Sequence, residues 1–239
     1  MPGLDGILPA CVLAVYAHPD DPEVSCGGTL ARWAAAGAAV HVLICTTGDK
    51  GSSDQAVDPE ALARRRAGEV AAAAAVLGVT GHEVLGHGDG EIDNTSAFRE
   101  ELVTAIRRLR PDVVVCPDPT AVFFGSSYFN HRDHRVVGWA TLDAVSPAAA
   151  MPHYYRGSGP PHQVSRVYLS GTLEPDVWVD VTRTIDVKTE ALLCHESQLG
   201  EPGEWLRTVV RQRAEDGGRI AGVQFAEGFR RLVFAEADG

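Results

Sequence analysis

Positive charge is scarce in this chain. Its 239 residues carry 21 Lys and Arg against 32 Asp and Glu, a formal net charge of -11, and no basic tract or stripe stands out. That balance excludes nucleic acid and anionic membranes as expected partners and favours solubility. The opening residues, Met1-Pro2-Gly3-Leu4-Asp5, form no positive segment, and the first apolar run is broken by His18, Asp20 and Asp21. Neither a signal peptide nor a membrane span is therefore expected. Cysteine is sparse and scattered, at Cys11, Cys26, Cys45, Cys116 and Cys194, with no C-x-x-C pair. Reduced, structural thiols and a cytoplasmic location follow. Internal repeats and low-complexity linkers are missing, as are a G-x-G-x-x-G turn and a P-loop.

What the chain does have is an alternation of short apolar runs and helical segments. Ala10–Ala17, Ala39–Cys45, Glu83–Leu85 and Asp112–Cys116 read as strands, the first and last rich in Val and suited to burial on both faces. Between them, Thr29–Ala36 reads as a helix ending at Gly37. Asp58-Pro59-Glu60 opens a helix running to Gly78, and Thr95 caps one that ends before Pro111. This βαβ rhythm predicts an α/β fold, a Rossmann-like, mostly parallel sheet flanked by helices. Further strands at 164–169, 177–181 and 225–234, and helices at 186–198 and 203–213, would extend it. The glycine pair 217–218 is expected to break the pattern before the last strand. A single domain over 1–239 is expected, with a core over about 10–150 and an extension over 151–239.

The densest chemistry is Ala17-His18-Pro19-Asp20-Asp21-Pro22-Glu23, directly after the first strand. An imidazole and three carboxylates crowd a strand end, where parallel sheets place ligands. Adjacent like charges call for a neutralising cation, although a purely structural reading, acids capping the next helix, also exists. A catalytic zinc keeps three protein ligands and one open position. His18 and Asp21 could supply two, and His131-Arg132-Asp133-His134, after the loop that follows another strand, is the best source of a third. His41, His87, His153 and His162 have no ligand spacing, and Cys26 is read as structural rather than as a catalytic thiol.

These motifs resemble the LmbE-like (PIG-L) zinc-dependent de-N-acetylases. Their Ala-His-Pro-Asp-Asp segment and Gly-Gly-Thr-Leu stand here as 17–21 and 27–30, and their second His/Asp/His motif stands as His131-Arg132-Asp133-His134. Weaker matches are Thr46–Ser52, Arg66 with Glu69, Asp89-Gly90, His195 with Ser197-Gln198, and Ala226-Glu227 with Phe229-Arg230. The resemblance spans roughly 10–235. It implies His18, Asp21 and His134 as ligands to zinc, with iron or another divalent ion as the alternative. It implies Asp20 as general base, and His131 as the group that stabilises the oxyanion or protonates the departing amine. Asp133 would orient His131 and support its charged form. Arg66 and Asp89 match positions that bind sugar hydroxyls.

Two departures stand out. Some relatives place an oxyanion-binding tyrosine two positions before the first histidine of the second motif. Here that position is Phe129, with Tyr128 one step earlier as the candidate. Pro22 separates Asp21 from Glu23, which is expected to support the ligands rather than join them, as is His195 from behind. The resemblance implies metal-dependent hydrolysis of an N-acetyl group on an amino sugar or an N-acetylglucosamine-containing small molecule. An amidase on a larger glycoside or antibiotic conjugate is the neighbouring reading, with the loops at 52–58 and 151–162 setting the pocket width. A non-catalytic nucleotide- or metabolite-binding module, with Gly27-Gly28 cradling a phosphate, is the alternative from another class. Relatives often assemble, and the proline-rich segment after Met151 offers surface for a homo-oligomer.

Overall fold

The computed structural model describes residues 3–199 and 204–234. The strands are β1 (Gly3–Leu4), β2 (Cys11–Tyr16), β3 (Ala39–Thr46), β4 (Gly81–His87), β5 (Val113–Pro117), β6 (Phe123–Phe124), β7 (Tyr128–Phe129), β8 (Arg166–Ser170), β9 (Val177–Asp180) and β10 (Ala226–Val233). The α-helices are α1 (Asp21–Ala35), α2 (Pro59–Leu77), α3 (Ser96–Leu109), α4 (Arg132–Asp143), α5 (Ile185–Leu193), α6 (Glu196–Leu199) and α7 (Glu204–Ala221), and a π-helical turn, Ala144–Ala149, continues α4. All strands but β6 and β7 form one sheet in the order β1-β9-β10-β8-β5-β2-β3-β4. The run β8-β5-β2-β3-β4 is wholly parallel, and β10 is antiparallel to both of its neighbours. The α/β expectation is met, and the C-terminal strands extend the same sheet.

Side chains alternate across β2, as a strand buried on both faces requires. Val12, Ala14 and Tyr16 join the apolar layer under α1, α2, α5 and α7, whereas Leu13, Val15 and Ala17 join the one under α3 and α4. Trp33 of α1 is fully buried and meets Tyr168 edge-on at 5.7 Å between centroids. Burying such a side chain stabilises the fold by about 1.5–3 kcal/mol. Among the described residues no helix is long and apolar enough to cross a membrane, and all five cysteines are free.

Three expectations need correction. Helix α1 starts at Asp21, not Thr29, because it is two helical pieces joined at a kink where Cys26 takes φ -145° and ψ 20°. The kink frees backbone N–H groups, which the buried Glu227 carboxylate caps by accepting from Gly28 N (3.1 Å), Thr29 N (2.8 Å) and Thr29 Oγ1 (2.6 Å). Lys188 Nζ balances that carboxylate at 2.5 Å. The glycine pair that could cradle a phosphate is thus filled by the protein's own acid. Helix α7 runs through Gly217-Gly218 instead of stopping there; the expected start at Gly203 lies outside the described residues. A Cβ at Gly217 would lie 2.5 Å from Ala226 O, and one at Gly218 2.5 Å from Gln224 O, so these glycines let the helix seat against the entry to β10. The helix expected over 186–198 is divided into α5 and α6, separated at Cys194 and His195.

Candidate active site

The strand order reverses between β2 and β5: from β2 the chain continues to β3 and β4 on one side, and later to β5 on the other. Ligands of parallel sheets bind at the carboxyl ends of strands flanking such a switch point. The loops after β2, β3, β4 and β5 all emerge at that end, and they carry the His18, Gly48, Asp89 and His131 segments respectively.

His18 and Asp21 are held together by a local turn, with the His18 N–H donating to Asp21 Oδ2 at 2.7 Å. His134, on the first turn of α4, joins them from 116 positions away. His18 Nδ1 lies 3.2 Å from His134 Nε2 and 3.4 Å from Asp21 Oδ2, and His134 Nε2 lies 3.1 Å from Asp21 Oδ1. A tetrahedral ion with bonds of about 2.0–2.1 Å separates its ligand atoms by about 3.4 Å. Two imidazoles and a carboxylate at this spacing therefore fit a divalent ion such as zinc. Asn130 adds a part that the sequence did not suggest. Its Oδ1 accepts from His134 Nδ1 at 3.0 Å, which leaves Nε2 for the ion, and its Nδ2 donates to Ala121 O at 2.8 Å. Fixing the second ring nitrogen in this way is how proteins orient metal-binding histidines.

The far side of His18 faces two more acids. Its Nε2 lies 3.1 Å from Asp89 Oδ1 and 3.4 Å from Asp133 Oδ2. With His131, these groups make a second cluster whose potential ligand atoms lie within 4.8 Å of one another. Burial by itself would lower the His18 pKa, but hydrogen bonds to Asp133, Asp21 and Asp89 push it up to about 12. Burial would raise Asp21, yet the charge and hydrogen bond of His134, with His18, hold it well below the usual carboxylate range. The same Asp21 charge outweighs burial and raises His134.

Asp20 stands apart from the ligand triangle. Its backbone takes φ 93°, a left-handed conformation unusual for a residue other than glycine. Such strain costs of order 1–3 kcal/mol and collects at functional sites. Burial, then the Asp21 charge, push its pKa up to about 7 against the pull of Arg66, His195 and His18. Arg66, matched by resemblance to a sugar-binding position, is only 3% exposed. It donates to Pro19 O (2.5 Å) and Gly48 O (3.1 Å) and lies 3.4 Å from Asp20 Oδ1. A Cβ on Gly48 or Gly51 would fall 2.3 or 2.6 Å from the Arg66 Nη1 atom, so those glycines make room for the guanidinium. In this structure Arg66 braces the loop that carries Asp20.

Asp133 also sits differently from expectation. Its carboxylate accepts from Gly90 N at 2.7 Å and faces His18 rather than the His131 ring. Its connection to His131 runs through the backbone, the Asp133 N–H donating to His131 Nδ1 at 3.3 Å. The reason is the cap geometry: His131 is the N-cap residue of α4 and turns its Nδ1 back onto the helix. Burial and the charge of His18 lower the His131 pKa. Asp89 is set by the loop after β3: Asp49 Oδ1 accepts its backbone N–H at 2.9 Å, and Lys50 Nζ donates to its carbonyl at 2.7 Å. Tyr128 lies on the β6–β7 hairpin and borders, with Asn130 and His134, a cavity of about 740 Å³. Phe129 is absent from the cavity wall and packs under the Arg135 guanidinium, 4.8 Å from its ring centre.

Near Asp20, His195 is fully buried, with Nε2 3.2 Å from Glu23 Oε2. The angle is not that of a hydrogen bond, and among the described residues neither ring nitrogen has a hydrogen-bond partner. Glu69 clamps the adjoining α6, accepting from Ser197 N (2.8 Å) and Ser197 Oγ (2.6 Å).

A Rossmann-like sheet with a His/Asp metal cradle and a separate acid at its switch point defines a hydrolase-like active site. Residues 13–145 match the PIG-L family, described as GlcNAc-PI de-N-acetylase, and the chain belongs to it. A diacetylchitobiose deacetylase of Thermococcus kodakarensis is 36% identical over 224 residues, covering 92% of this chain and 82% of its own. A 1D-myo-inositol 2-acetamido-2-deoxy-alpha-D-glucopyranoside deacetylase of Rhodococcus jostii is 32% identical over 248 residues, covering 79% and 81%. The N,N'-diacetylchitobiose deacetylase from Pyrococcus horikoshii, solved with its inhibitor MPG, superposes with a TM-score of 0.86 at 28% identity, covering 94% of this chain and 84% of that one.

Proposed function

We propose that this protein is a metal-dependent deacetylase that hydrolyses the acetamide of an N-acetylglucosamine-containing small molecule, such as an acetylated disaccharide or a glycoside. The observation that carries this reading is the division between neighbours. Asp21 is committed to the ligand triangle with His18 and His134, while Asp20 is turned out of it by a left-handed backbone. Zinc suits the two imidazoles and one carboxylate, and iron is the alternative. A divalent ion held there would polarise the acetamide carbonyl and acidify a water molecule.

The chain's own residues do the rest. Asp20 accepts the proton of the attacking water as its oxygen bonds to the acetyl carbon, and returns it to the nitrogen as the C–N bond breaks. Arg66, bonded to the Pro19 carbonyl, keeps Asp20 aimed. His131 Nδ1 accepts from the Asp133 N–H, so neutral His131 carries its proton on Nε2. A lowered pKa favours that neutral form, which donates a hydrogen bond to the developing oxyanion. Asp89 and Asp133 hold the His18 Nε2–H, leaving Nδ1 toward the ion. Tyr128 contacts substrate from the hairpin. The free thiols accord with a cytoplasmic setting.

The test is amine release from N-acetylglucosamine, diacetylchitobiose and GlcNAc-inositol, with metal content measured in parallel. Activity should vanish with chelator and return with zinc. Asp20→Ala should keep the metal and lose turnover, whereas His134→Ala should lose both. Zinc-loaded protein inert toward every acetamide would refute the reading.

A further inference from the structure

The large cavity adjoins the metal cradle from one side only. Asp21 and His134 border it, but Asp20, Asp89 and His131 do not. Away from the cradle its wall is mainly apolar and includes Val24, Phe124, Trp178, Leu192, Val210 and Ala214, drawn from α1, the hairpin, β9, α5 and α7. Of the charged groups in the wall beyond the cradle, Lys188 pairs with Glu227 at 2.5 Å, Asp118 Oδ1 accepts from Thr120 N and Oγ1, and Arg213 is an exposed residue of α7. A volume of about 740 Å³ lies within the range of pockets for whole small molecules and far exceeds what one methyl group fills.

An amide carbonyl resting on the cradle divides its substrate into an amine half and an acyl half. The hydroxyl-rich sugar suits the polar side, where Asp20, Asp89 and His131 lie. The acyl half then points into the apolar chamber. We infer that this enzyme accepts N-acyl amino sugars whose acyl chain is longer than acetyl, the alkyl tail lying between α5 and α7. This rests on the hydrolase reading above. The reaction balances in the same way: water oxygen bonds to the acyl carbon, the C–N bond breaks, and a free amine and a fatty carboxylate leave.

The experiment is a series of N-acetyl-, N-butanoyl- and N-hexanoylglucosamine offered to the zinc-loaded full chain. Each buried methylene can add about fourfold to kcat/KM, so hexanoyl should be cleaved at least as efficiently as acetyl. Ala214→Phe should lower the hexanoyl-to-acetyl ratio about tenfold or more. Cleavage of acetyl with a steady fall at every added methylene overturns the inference and leaves the deacetylase reading intact. Failure on all three with diacetylchitobiose or GlcNAc-inositol still cleaved overturns the inference alone, and failure on those as well overturns both. A gain with a longer alkyl aglycone, but none with a longer acyl chain, assigns the chamber to the aglycone and also overturns it.

Discussion

Loading a divalent ion into the cradle should expel protons, and the number can be worked out from the side chains. In the metal-free protein His18 is surrounded by Asp21, Asp89 and Asp133, with Nε2 3.1 Å from Asp89 and 3.4 Å from Asp133. These contacts push its pKa up to about 12, and Asp21 raises that of His134. At pH 7 His18 then carries a proton on the Nδ1 that the ion requires, and the raised pKa of His134 makes its ring harder to deprotonate. Displacing the His18 proton at neutrality costs roughly five pH units at about 1.36 kcal/mol each, on the order of 7 kcal/mol. That cost shrinks as the pH rises, so apparent affinity should grow about tenfold per pH unit for the one proton displaced from His18. Calorimetric zinc titration at pH 6–8, repeated in buffers of different ionisation enthalpy, counts the protons directly. The metal-free protein should show the opposite trend. The stability that His18 draws from its acidic neighbours is fully present below its ordinary value of 6.5 and drains away as the pH climbs toward about 12. Zinc binding with no proton release between pH 6 and 8 would refute the claim that these carboxylates hold a charged His18.

Three further outcomes are expected. Asn130→Ala should weaken zinc binding about 10–100-fold by freeing the His134 ring, as read by competition with a chromophoric chelator, while leaving the urea midpoint of the metal-free protein little changed. Glu227→Ala should cost about 3–5 kcal/mol in urea unfolding, because it strands the buried Lys188 charge and uncaps the second half of α1; a Glu227→Ala, Lys188→Met double variant should recover part of that loss. Asp20→Gly should abolish turnover yet unfold at higher urea than Asp20→Ala by about 1 kcal/mol, because glycine adopts φ 93° without strain.

Much of the site was legible in one dimension because its parts are local. His18 and Asp21 belong to one turn, His131 and His134 to one helical turn, and each group follows an apolar run whose composition fixes it as a buried strand. The longer-range bracing was not legible. Nothing in the spacing indicates that Arg66 donates to Pro19 and Gly48, or that Glu227 caps a kink 199 residues away. The Gly217-Gly218 pair reads as a break and acts as a contact surface, because what a glycine does depends on what approaches it.

The sequence alone determined the chemistry available: which carboxylates and imidazoles occur at strand ends, in a mostly parallel α/β chain. The tertiary structure decided their assignment. The adjacency of β2 and β5 brings His134 to within 3.2 Å of His18, Asp20 takes a left-handed backbone beside Asp21, and the loop after β5 supplies Asn130. Propensity and periodicity act over a few residues, whereas distances of 3 Å between segments more than a hundred residues apart are set only by how the sheet is ordered.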